Sequence, residues 1–84
     1  MLQTNTLTTQ DGAIIVIQSC ERTLANVGIF SGGLCSYCHV HVPDLARYDE
    51  TWKSNHISKA QFDAVLEENR ERIVDLVNRL ANDS

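Results

Sequence analysis

Apolar residues are distributed differently in the two halves of the chain: short runs and alternations up to Val42, then recurrence every three or four positions from Phe62 onward. The first pattern predicts strands and the second a helix. A Thr-rich segment, Thr4 to Thr9, and the apolar run Ala13-Ile14-Ile15-Val16-Ile17 flank Asp11-Gly12. Asp-Gly between two extended segments predicts a two-residue hairpin turn, where both positions need positive φ. The apolar run reads as a central strand. Because successive side chains of a strand face opposite ways, Ile14 and Val16 oppose Ile15 and Ile17, so one layer of helices leaves part of an apolar surface uncovered. Gly32-Gly33 lies between Val27-Gly28-Ile29-Phe30 and Leu34 to Val42, a second hairpin of the same kind. Residues 19–28 fit either a short helix capped by Ser19 and stopped by Gly28, or a loop and a strand; the strand is the preferred reading.

Val42-Pro43 ends the extended half, since proline pushes the residue before it towards β geometry and fits only the first turn of a following helix. Leu45, Tyr48 and Trp52 share one helical face and predict a short helix over about 44–53. Ser58-Lys59-Ala60-Gln61 matches a capping box, with Ile57 and Phe62 at the positions of a hydrophobic staple. A helix over about 59–81 follows, with Glu68–Arg72 and Asp75–Arg79 as acid-to-base pairs on its outer side. The whole predicts a single α+β domain over 1–84: an antiparallel sheet of three or four strands within 3–42, packed against a short and a long C-terminal helix.

Length and charge narrow the function classes. A chain of 84 residues buries only about 60% of its unfolded surface, so a metal, a staple or a second subunit is a natural supplement. Eleven acidic side chains against 7 basic ones give a net charge of −4, and the basic residues are scattered among acidic neighbours. That field disfavours nucleic acid and anionic membranes. The first residues lack the basic and apolar segments of a secretory leader, and the longest apolar run, Ala13 to Ile17, falls far short of the ~20 residues that a bilayer span needs. The expectation is a cytoplasmic protein whose Cys20, Cys35 and Cys38 remain thiols.

Leu34-Cys35-Ser36-Tyr37-Cys38-His39-Val40-His41-Val42 is the stretch that most suggests chemistry. Cys35-Ser36-Tyr37-Cys38-His39 matches the pattern of covalent haem attachment, but that chemistry implies export, for which the sequence shows no signal. Zinc is the stronger alternative, with Cys35, Cys38, His39 and His41 as ligands. Against it, Ser36-Tyr37 is poor turn chemistry and the following residues alternate as a strand does. A strand places Cys35, Tyr37, His39 and His41 on one face and Ser36, Cys38, Val40 and Val42 on the other, so a site on the first face needs Cys20 or His56 to complete it. A nucleophilic Cys–His pair lacks a nearby acidic partner to orient the imidazole. No phosphate loop, G-x-S-x-G elbow or H-E-x-x-H helix occurs. The expectation is therefore no enzyme activity and no cofactor, with zinc as the alternative.

Gly32-Gly33-Leu34 leading into the strand of Cys38, then Asp44, then Phe62 to Leu80 with Asn69-Arg70-Glu71-Arg72-Ile73, resembles a family of short bacterial proteins of unknown function. The family has a G-x-x-x-x-C-type strand followed by two helices, the second with an F-x-x-x-R-x-x-I-like run. The likeness covers residues 28–82 and implies a cytoplasmic α+β fold, with no functional residues to transfer. The function expected from the sequence is a non-catalytic binding or regulatory module acting through protein contacts, on another protein or on itself. Phe62, Leu66, Asn69, Ile73, Leu76 and Leu80 form a row of 4-3 spacing that has two readings. It covers the chain's own sheet, as most surface helices do, or it is a homodimer interface in which Asn69 pairs with its twin.

Overall fold

The computed structural model describes residues 5–48 and 57–82. Four strands, β1 (Thr6–Thr8), β2 (Ile14–Cys20), β3 (Leu24–Ser31) and β4 (Leu34–His41), precede two helices, α1 (Lys59–Glu68) and α2 (Arg70–Asn82). The strands form one antiparallel sheet in the order β1-β2-β3-β4, so the apolar run of β2 is indeed internal. The α+β class and the antiparallel sheet of four strands are what the hydrophobic pattern predicts, and two C-terminal helices, a shorter and a longer, follow the sheet at bounds other than those predicted.

The two glycine turns differ. Gly32 and Gly33, at φ 58° and 81°, join Ser31 to its register partner Leu34. This is the two-residue turn expected, with both central residues in the region that glycine occupies without strain. At the first hairpin the Gly12 amide donates to the Thr9 carbonyl at 3.1 Å, and Gln10, Asp11 and Gly12 together form the loop. The turn is thus one residue longer than predicted, with Gly12 at φ 89° closing it. The Thr9 hydroxyl accepts the Ala13 amide at 3.0 Å and fixes the return of the chain. Residues 24–31 are strand, as preferred.

Ala13, Ile15, Ile17, Ala25, Val27, Ile29, Cys38 and Val40 are all buried on one side of the sheet, where Phe62, Val65, Leu66, Ile73, Leu76 and Val77 of the helices meet them. The register shifts between Ile17 and Ser19, leaving Gln18 as an extra residue. Such a bulge moves every later side chain to the opposite face. Cys20 pairs with Ala25 in register and packs on the core, its thiol 3.8 Å from the Val77 carbonyl.

Two expectations about the helical half are corrected. Residues 44–48 turn back instead of starting a helix: the Leu45 amide donates to the Pro43 carbonyl, the His41 amide to the Arg47 carbonyl at 2.9 Å, and Tyr48 bridges to Val40. The rest of that predicted helix, 49–53, lies outside the described residues. The helix over 59–81 is interrupted at Asn69, which has φ −114° and ψ 17°. Its side-chain amide donates to the Val65 carbonyl at 2.9 Å and its carbonyl accepts from Arg72 at 3.2 Å. An asparagine that bonds back to the preceding turn competes with the helical ladder, which is why the break falls here. The chain continues into α2, and Arg72 also reaches the Thr8 carbonyl at 3.2 Å, tying α2 to the end of β1.

The N-terminus of α1 is half the capping box expected. Ser58 accepts from the Gln61 amide at 3.2 Å, but the Gln61 side chain donates to Ser31 at 3.1 Å instead of reaching back. It thereby links α1 to the end of β3. Ile57 and Phe62, the staple residues, are both fully buried. The Ile57 amide donates to the hydroxyl of buried Ser36 at 3.0 Å, so the only polar side chain that β4 turns into the core is satisfied.

Candidate interaction surface

The helices cover one face of the sheet. The other face is read directly from the register. Thr8, Ile14, Phe30 and Cys35 form one row across it, and Thr6, Val16, Gly28 and Tyr37 the next. Asn26 and His39 follow, then Leu24 and His41. Gln18 accepts from the Asn26 side chain at 3.2 Å at the bulge. Ile14 is 43% exposed and Phe30 36%, and Leu34 at the hairpin end is 40% exposed.

One local device organises this face. Gly28 has no side chain, and the Tyr37 ring from the neighbouring strand lies in the space: a Cβ there would sit 2.7 Å from Tyr37 Cδ1 and closer still to Cε1. Phe30 meets the same ring edge-on, with centroids 5.6 Å apart and planes at 88°. Glycine costs a strand packing and entropy, and a cross-strand aromatic that folds over it recovers part of both. The result is a pair of aromatic rings held in place on a half-open surface. Glycine inside a strand signals close approach of another group, so Gly28 was the clue in the sequence to this arrangement.

The strand reading of the Cys/His stretch holds. Cys38 is buried on the helix side of the sheet, whereas Cys35, His39 and His41 lie on the opposite face. The four residues of the zinc alternative therefore do not converge. Cys20, one of the two residues that could have joined the outer three, is carried to the core side by the bulge; burial raises its thiol pKa and favours the inert form. His56, the other, lies outside the described residues. Among the described residues no three His, Cys, Asp or Glu side chains gather into a group fit to hold a metal ion.

The row proposed as a homodimer interface is corrected by the same burial. Phe62, Leu66, Ile73 and Leu76 are buried in the chain's own core, Asn69 is 8% exposed with both ends of its amide bonded within the chain, and Leu80 packs against that core. A side chain already enclosed by its own sheet offers nothing to a partner. Asn69 serves the helix break and not a twin.

A second polar cluster lies where the turn after β4 meets α1. Tyr48 donates to Asp63, and Lys59 lies 3.1 Å from the Tyr48 hydroxyl and 3.2 Å from Asp63. The Tyr48 ring packs on Phe62 with centroids 5.2 Å apart. Burial and the hydrogen bond to Asp63 raise the Tyr48 pKa, and the Tyr48 hydroxyl holds the Asp63 carboxyl below its ordinary range. A shallow cleft of about 390 Å³ beside it is lined by Leu45, Ala46, Lys59, Asp63, Leu66 and Glu67. Lys59 and Asp63 neutralise each other, and a tyrosine with a raised pKa is a poor acid and a poorer base at neutral pH. The cluster is a clasp between the turn and the helix. Its sequence sign was Lys59 and Asp63 at i, i+4; the part of Tyr48 came only with the fold.

No family model, no curated protein sequence and no solved structure matches this chain. No helix among the described residues is long and apolar enough to cross a membrane.

Proposed function

We propose that the protein is a small, non-catalytic binding module that acts through protein contacts made by the sheet face that nothing among the described residues covers. The observation that carries this reading is the exposed apolar area centred on Ile14, Phe30 and the Tyr37 ring over Gly28. Contiguous apolar patches on small proteins mark interaction sites, and ordered aromatics dominate the binding energy at such sites because they lose little freedom on docking. The polar clusters give no competing chemistry: Tyr48, Asp63 and Lys59 satisfy one another.

The test is affinity capture from host extract with the wild-type chain, an Ile14→Lys/Phe30→Lys variant, and an Asp75→Lys control on the exposed side of α2. Partners retained by wild type and control but lost from the sheet variant support the reading. An identical captured set for all three refutes it, provided far-UV circular dichroism shows the variants folded.

A further inference from the structure

The end of the sheet away from Ile14 and Phe30 holds a different set of side chains on the face opposite the helices: His39 and His41 on β4, with Asn26 and Leu24 as their register partners on β3. Two residues apart on one strand, the histidines share a face, with Cα atoms about 6.8 Å apart. His39 is exposed and His41 half-buried. The His41 amide points away from β3, donating to the Arg47 carbonyl, so Leu24 and His41 are a non-hydrogen-bonded pair. Such pairs alternate along an antiparallel ladder, which makes Asn26 and His39 one as well. Their Cα atoms approach to about 4.5 Å, closer than in the hydrogen-bonded pair between them.

We infer that His39 and His41 chelate a divalent transition-metal ion of the copper–nickel class, with the side-chain oxygen of Asn26 as a third donor. Two imidazole nitrogens bound to one ion at about 2.0–2.1 Å stand about 2.9 Å apart when they are neighbouring ligands. Side chains rooted about 6.8 Å apart on one strand face reach that separation by leaning towards each other along the strand. The bulge supplies an orienting group for the third donor. Gln18, the extra residue of β2, accepts from the Asn26 amide nitrogen at 3.2 Å, which leaves the Asn26 oxygen without a partner among the described residues. Outer hydrogen bonds of this kind fix the direction of a ligand.

The donor set selects the ion. Structural zinc takes four protein ligands in a closed tetrahedron, and among the described residues no third His, Cys, Asp or Glu joins this pair. Cys35 stands four residues from His39, about 14 Å along the strand, and the Tyr37 ring between them lies over Gly28. Two imidazole nitrogens, an amide oxygen and water fit the tetragonal coordination of Cu(II) and Ni(II), and Cu(II) heads the Irving–Williams order. A net charge of −4 adds a field that favours cations. The site lies on a strand surface and not in the core, so the fold does not require the ion. It goes beyond the protein-contact reading and does not depend on it.

Isothermal titration calorimetry of the tag-free chain with Ni(II) tests this, since that ion leaves the thiols of Cys20, Cys35 and Cys38 unoxidised. The expected result is one Ni(II) bound per chain. His39→Asn and His41→Asn should each weaken binding about tenfold or more, and Asn26→Ala should weaken it less. His56→Asn and Cys35→Ser should leave it unchanged. Should a histidine variant not fold, Ni(II)-induced shifts of the His39 and His41 ring protons in the NMR spectrum of the wild type read the same contact. No uptake up to millimolar Ni(II), or a loss confined to one of the two histidines, overturns the chelate. An equal loss from His56→Asn or Cys35→Ser also overturns it, because the ion is then held elsewhere.

Discussion

Replacing Gly28 by alanine tests the packing of the uncovered face most sharply. Gly28 is not among the glycines with positive φ, so the backbone accepts alanine, and a glycine-to-alanine change at a compatible position stabilises by about 0.4–1 kcal/mol through the unfolded chain. Against this, the new Cβ would stand 2.7 Å from Tyr37 Cδ1 and 3.1 Å from Cζ. Carbon atoms rest about 3.5–4.0 Å apart, so the ring must shift by about 1 Å. That costs about 1–3 kcal/mol as overpacking and forfeits part of the edge-on contact with Phe30, worth about 0.5–1.5 kcal/mol. The net expectation is a loss of about 2 kcal/mol, or roughly 8–16 °C in the melting midpoint of a domain this small. Urea titration followed by circular dichroism measures it in two backgrounds. With Tyr37→Ser in place the obstacle is gone and Gly28→Ala should become neutral or slightly stabilising. Equal costs in the two backgrounds, within about 0.5 kcal/mol, would show that Tyr37 does not occupy the space above Gly28.

Three further outcomes follow from the helix side and the thiols. Ser58→Ala removes the acceptor of the Gln61 amide and should cost about 1 kcal/mol; an unchanged melting midpoint would place the start of α1 elsewhere. Tyr48→Phe should change the pH dependence of stability at both ends. Asp63, held low by the Tyr48 hydroxyl, stabilises the fold above its ordinary pKa and loses that contribution as the pH falls through its lowered value, while Tyr48, held high by burial, destabilises the fold as the pH rises past about 10. The variant should lose the alkaline limb and show a smaller acid one, and urea midpoints that run parallel to wild type from acid to alkaline pH would reject the clasp. A Cys35→Ser/Cys38→Ser double variant should stay folded with a modest loss, mostly from buried Cys38, and wild type should keep its melting midpoint in excess chelator; collapse on chelation would mean that a metal holds the fold together.

The hydrophobic pattern alone was sufficient for the α+β class, for both hairpins, for the internal place of β2, and for the assignment of Cys35 and Cys38 to opposite faces of β4. All of these depend on local periods, two along a strand and about three and a half along a helix, and on glycine where positive φ is required. What it left open were contacts between residues distant in the chain. The row from Phe62 to Leu80 reads equally as core and as interface, because periodicity shows that a face is apolar and not what covers it; burial against the sheet made it core. Asn69 in that row suggested a twin until its amide was found bonded to Val65 and Arg72. Strict alternation would have set Cys20 beside Ile14 and Val16, and one extra residue, Gln18, reversed it without any local sequence signal. The spacing of Tyr48 from Leu45 predicts a helix face, but its bridge to Val40 and its bond to Asp63 lie across the fold. The sheet face opposite the helices combines both kinds of information: its residues alternate visibly in the sequence, but only the packing of both helices on the other side leaves it open among the described residues.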